Sequence, residues 1–220
     1  MAERALLRVG SAAAIVAAVL GTVVNVGFPR PPSEKLGDPL ALVDGVGPAR
    51  WELLQLGLTV GLIIALAAFY AVAKSIAGQP AVTWSRLGLG SVVVGTTLGV
   101  ALSGLQIGLR DGLELVGEAI AGTAFLVVGL FTVWELTYFG LTPVLFGLAF
   151  VSSDSYPSWL GWVTIAAGSA GLAAAVLEAL SVGADELTTY VLFPVASGLL
   201  TLILLYLGVL LARKAREAGV

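Results

Sequence analysis

From Ala119 to Val151 the chain runs for 33 residues with a single charged side chain, Glu135. A helix in a soluble core keeps a polar face for water, and this stretch has none to offer. The pattern recurs along the chain. Apolar runs cover about Val9 to Phe28, Trp51 to Ala73, Leu87 to Ile107, Trp159 to Leu180 and Leu187 to Leu211. Each is close to the roughly 20 residues that cross a hydrocarbon core. Charged residues make up 11% of the sequence, against about 25% in soluble domains, and the mean hydropathy is +1.01. Too little charge is present to cover a water-facing surface. The spacing predicts an all-α fold: one polytopic membrane helix bundle spanning residues 1–220.

The run 119–151 admits two readings. A straight helix of that length would reach about 50 Å at 1.5 Å per residue, well beyond the roughly 30 Å hydrocarbon core. It is therefore one long helix kinked near Gly140 and Pro143, or two spans. Charge sidedness decides, because Lys and Arg collect on the cytoplasmic side. Six spans put Arg4 and Arg8, Lys74 and Arg86, and Arg213, Lys214 and Arg216 on one side. The acids Asp111, Glu114, Glu118, Asp185 and Glu186 fall on the other. Seven spans would export the basic tail. The expectation is six transmembrane helices with both termini cytoplasmic and 29–50 as an extracytoplasmic loop. The Pro29-Arg30-Pro31-Pro32 segment ends the first span. That span is longer than a signal-peptide core and lacks a small-x-small cleavage site, so it is read as a retained helix.

The sequence contains no histidine and no cysteine. That removes His-ligated haem, thiolate iron–sulfur clusters, the usual zinc sites, and Ser–His or Cys–His nucleophiles. No cofactor or metal is predicted, and bound lipid is expected. The net charge of −3, with no basic stripe outside the chain ends, excludes a nucleic-acid surface. Arg outnumbers Lys eight to three, read as a high-GC or halophilic bias. Trp51, Trp84, Trp159 and Trp162 fall at span boundaries as interfacial anchors.

Glu135 is the most informative residue. An acid at bilayer depth costs roughly 2.5–3.5 kcal/mol on insertion scales and marks a functional site by default. No Lys or Arg falls inside any apolar run to pair with it. It is expected to face the bundle interior as a hydrogen-bonded neutral acid, with Thr132 and Tyr138 on the same helix face as partners. The functional reading is a proton- or cation-binding carboxyl; the other is a structural acid. Asn25, Gln55, Gln106 and Glu178 lie toward the outer ends of their spans and form a candidate polar vestibule, or simply hydrogen bonds between helices. Ser91, Gly95, Gly99 and Ser103 recur every four residues, a small-residue stripe that lets another helix approach closely. Ala166, Ala170 and Ala174 form a similar row on the fifth span. A weak repeat at an offset of 73 aligns Ser85-Arg86-Leu87-Gly88-Leu89 with Ser158-Trp159-Leu160-Gly161-Trp162, Ser91 with Thr164, and Gly95 with Gly168.

Three stretches carry a likeness to known proteins. They are Arg50-Trp51-Glu52-Leu53-Leu54-Gln55 leading to Phe69-Tyr70-Ala71-Val72-Ala73-Lys74, then Phe139-Gly140-Leu141-Thr142-Pro143-Val144-Leu145-Phe146-Gly147, and Tyr156-Pro157-Ser158-Trp159-Leu160-Gly161-Trp162. Together they resemble a bacterial and archaeal six-helix membrane family catalogued only as a domain of unknown function. The resemblance implies a multi-pass protein of a prokaryotic cell membrane and carries over no catalytic residue. Three functions compete. The expected partners are membrane lipids and either other membrane subunits or a second copy in a homo-oligomer; the first function is an accessory subunit packing with a larger membrane complex. The second is a small-solute or ion transporter using Glu135. The third is a lipid-modifying enzyme drawing on Glu114, Glu118, Glu178, Asp185 or Glu186, among which no spacing singles out a pair. The accessory reading ranks marginally first, and an enzyme last.

Overall fold

A computed structural model describes residues 2–28, 47–116, 120–181, 187 and 191–218. Most of the 29–50 loop, together with Glu118, Asp185 and Glu186, lies outside them. The described residues form long helices and no strand: α1 (Ala2–Gly27), α2 (Pro48–Ser75), α3 (Ala81–Val116), α4 (Ile120–Trp134, Glu135–Leu141 and Thr142–Val151 in unbroken succession), α5 (Ser158–Ser181) and α6 (Phe193–Glu217). Six helices are long and apolar enough to cross a membrane, 126–151 among them as one span. The chain is a multi-pass membrane protein.

Local sequence sets the helix ends. Gly47, at φ 75°, takes a left-handed conformation that a side chain disfavours, and Pro48 follows in the first turn of α2. Gly78, at φ 82°, does the same in the turn between α2 and α3. Pro194 follows two π-helical residues, 191 and 192, and opens the regular α-helical part of α6. As at Pro143, the missing N–H coincides with a π-helical step in the backbone.

Each helix packs on the one before it, and α6 returns to α1, so the six close into a ring. The Ser11 hydroxyl donates to the Gly208 carbonyl at 2.8 Å and ties the start of α1 to the end of α6. The outer surface is apolar: Val26, Leu180 and Leu53 are 79%, 75% and 69% exposed. Lipid matches such a girdle, whereas in water it would drive association. Rings fill the interior. Phe69, Phe146, Phe150 and Tyr156 pack in series, tilted against one another, at centroid distances of 5.0, 6.1 and 4.8 Å. Tyr156, in the turn between α4 and α5, hydrogen-bonds Ser75 and lies under the Lys214 ammonium at 3.9 Å. Burial pushes its phenol up to about 12, against the opposing effect of the Ser75 bond.

Helix α4 is held from both sides by residues with no bulk. On the α3 side, Ser91 donates to the Thr137 carbonyl at 2.9 Å, and a Cβ at Gly95 would lie 3.1 Å from the Cα of Tyr138. On the α5 side, a Cβ at Gly168 would lie 2.7 Å from the Gly140 carbonyl oxygen, and one at Gly161 2.8 Å from that of Gly147. Gly95 and Gly168, paired by the 73-residue offset, thus flank the same stretch of α4. The face of α5 that meets α4 is this glycine row rather than the alanine row, of which Ala174 is buried but Ala166 exposed.

Candidate functional site

In the middle of α4 the backbone changes gait. Glu135–Leu141 is a seven-residue π-helical turn. Such turns are uncommon and concentrate at functional sites. The sequence supplies the reason. Pro143 has no N–H to return to the Phe139 carbonyl, four residues back, so the α-helical ladder fails at that rung. The Thr142 N–H bonds the Thr137 carbonyl five residues back instead. The Thr142 hydroxyl, at 2.9 Å, and the Ser91 hydroxyl, also at 2.9 Å, converge on the same oxygen. The sequence places a kink between Gly140 and Pro143; the irregularity begins earlier, at Glu135.

The freed Phe139 carbonyl faces α5. A Cβ at Gly171 would lie 2.3 Å from its oxygen, so the carbonyl sits where a glycine Cα hydrogen points, a Cα–H···O contact. Each residue inserted into a helical turn rotates what precedes it by about 100°. The π-helical turn therefore sets the direction of Glu135, the residue that opens it.

Glu135 is 1% exposed and Glu178, from α5, is 8% exposed. The two carboxyls lie against each other in the interior. A carboxylate can only accept, so a carboxyl–carboxyl hydrogen bond requires that one of the two donate an O–H. The Oε2 atom of each carboxyl has no hydrogen-bond partner in the chain. Among the described residues no group of three His, Cys, Asp or Glu side chains assembles around them or elsewhere. Two carboxyls fall short of the six to eight oxygens that calcium takes, or the octahedron that magnesium requires. The donor set suits a proton, or one monovalent cation.

The other sequence-predicted residues separate into distinct places. The Thr132 hydroxyl donates to the Val128 carbonyl at 3.1 Å, and Tyr138 is buried in contact with Gly95 and Trp134. The contact that Glu135 makes is with Glu178. Gln55 donates its amide to the Gln106 Oε1 at 2.6 Å, while Trp51 Nε1 donates to the Gln106 carbonyl at 3.4 Å; the two close the α2–α3 interface at one end. Asn25 is exposed on the outer surface of α1. Glu178 thus leaves the vestibule grouping and joins Glu135. Ser91 and Gly95 pack on α4; Gly99 leaves room for the Trp134 indole, whose Nε1 would stand 2.6 Å from a Cβ there. Ser103, one turn further on, is buried. Of Glu114 only the backbone is described, as part of α3.

The sequence carries one signal for the pairing that position within the span does not. Gly161, Thr164, Gly168, Gly171, Ala175 and Glu178 are all buried, at spacings of three and four residues. That is the seam of one helix packed along another, and it ends in a carboxyl. No family model matches the chain, and no curated protein or solved structure matches it either.

Proposed function

We propose that this protein is a membrane carrier that couples movement of a small solute or ion to proton binding at the Glu135–Glu178 pair. One observation supports it above the others: two buried acids from neighbouring helices lie against each other inside a bundle whose apolar runs contain no base. Intramembrane acids of this kind mark proton relays and ion pathways. The π-helical turn that opens at Glu135 adds a local departure from the α-helical ladder, of the kind that concentrates at functional sites. An accessory subunit has no use for an acid pair hidden from its partner, and a lipid-modifying enzyme would need its acids at the interface. The pair therefore ranks transport above both.

Infrared spectroscopy of the protein in lipid tests this without knowledge of the substrate. A protonated pair should give a carboxyl C=O band that shifts in D2O and changes intensity as pH is varied. Glu135→Gln and Glu178→Gln should each remove it. A band that neither exchanges nor titrates would make the pair purely structural and sink the carrier reading.

The orientation follows from charge. Arg4, Arg8, Lys74, Arg86, Arg213, Lys214 and Arg216 gather at one end of the helices, and we place that end in the cytoplasm. A cysteine introduced as Lys214→Cys in this cysteine-free chain should react with an impermeant maleimide only after cells are opened. Labelling from outside intact cells would reverse the assignment.

A further inference from the structure

Where α1 and α6 close the ring, a groove of about 330 Å³ opens at the basic end. Arg8 stands on the α1 wall and Arg216 on the α6 wall, with Ala12, Ile15 and Ala212 forming an apolar floor between them. No acid lines the groove. Both guanidinium-bearing residues are exposed, whereas Ser11, beneath them, spends its hydroxyl on the Gly208 carbonyl. The floor does not end with the groove. Ile15 is 37% exposed and Val19, one turn further along α1, is 55% exposed, so the apolar wall runs on into the lipid-facing girdle.

A ligand that fills such a groove has a negative head and a hydrocarbon tail. We propose that it binds one anionic phospholipid, its phosphate held between Arg8 and Arg216 and an acyl chain laid along Ile15 and Val19. Guanidinium is well matched to such a head, because its planar fork pairs with phosphate through parallel charge-assisted hydrogen bonds and it is weakly hydrated. Basic pockets between membrane helices on the cytoplasmic side recognise such headgroups. A soluble phosphate would use the two arginines but leave the apolar floor without a partner. The bound lipid spans the seam between the chain's first and last helices, so its binding strengthens the contact that closes the ring.

Thermal unfolding of the detergent-purified protein tests the assignment. Phosphatidylglycerol should raise Tm, and zwitterionic phosphatidylcholine should not. The double variant Arg8→Gln/Arg216→Gln should lose the phosphatidylglycerol-specific rise. Lys74→Gln/Arg86→Gln removes the same charge from the same end, outside the groove, and should keep it. Equal loss in both doubles would reduce the effect to general surface charge and overturn the site. A full rise in Arg8→Gln/Arg216→Gln would do so as well. Inorganic phosphate reproducing the rise would overturn the lipid as ligand. Ala212→Phe fills the floor and leaves both arginines; it should lose the bound lipid in native mass spectrometry. Retention of the lipid there would refute the acyl-chain half, and this variant decides the matter should the arginine double fail to fold.

Discussion

Gly171→Leu is expected to abolish the folded bundle. The first atom added, Cβ, would stand 2.3 Å from the Phe139 carbonyl oxygen and 2.6 Å from its carbon. These are backbone atoms and cannot rotate away. The α4 backbone cannot retreat either, because Gly95 already brings α3 against Tyr138 from the opposite side. Overpacking a core where side chains can shift costs about 1–3 kcal/mol; here α4 and α5 must separate, and the loss should exceed that range. Even Gly171→Ala should lower Tm sharply. Gly104→Ala and Gly198→Ala place the same methyl group where nothing lies within 4 Å, and they remove a helix-disfavouring glycine. Both should fold at least as well as the wild type. Thermal unfolding in detergent, with size-exclusion chromatography as a check of monodispersity, measures all four. A wild-type Tm for Gly171→Leu would mean that α4 and α5 do not meet as described.

The second large effect separates removal of the acid from its neutralisation. Glu135→Gln keeps a donor beside Glu178, and its amide should preserve the fold while ending proton exchange. Glu135→Ala strands the Glu178 carboxyl in the interior, without its carboxyl neighbour. Leaving a buried polar group unsatisfied costs about 1–3 kcal/mol, and more for a charged one. Glu135→Ala/Glu178→Ala removes both members, so it should be less destabilised than the sum of the two single variants. A double-mutant cycle on unfolding free energies reads this coupling. Strict additivity would show that the two carboxyls do not hold one another.

The number of helices was legible because lipid imposes a length and a solvent preference on every span, and the runs around residues 9–28 and 51–73 satisfy both without knowledge of neighbours. Glu135 was legible for the same reason, since its cost depends on depth alone. Its partner was not. Which residue of α5 meets Glu135 depends on the rotation introduced by the π-helical turn, and that turn depends in part on Ser91 and Thr142 reaching one carbonyl oxygen. Same-face counting offered Thr132, but a threonine hydroxyl inside a helix has its own i−4 carbonyl within reach, and Thr132 takes that of Val128. Gln55 and Gln106 sit at the same end of consecutive antiparallel helices, so the hydrogen bond between them needs no such rotation.

Closure of the ring through α1 and α6 also bears on how the protein is made. During synthesis each helix from α2 to α5 enters the bilayer beside its predecessor, and its second neighbour is the next segment to leave the ribosome. The first helix is different. Its α6-facing side, with Ser11 and Ala14 against Gly208, lies open to lipid until the last 25 residues of helix have been inserted. Among the six helices α1 thus waits longest for its second neighbour, and truncation anywhere before α6 leaves that side of α1 uncovered.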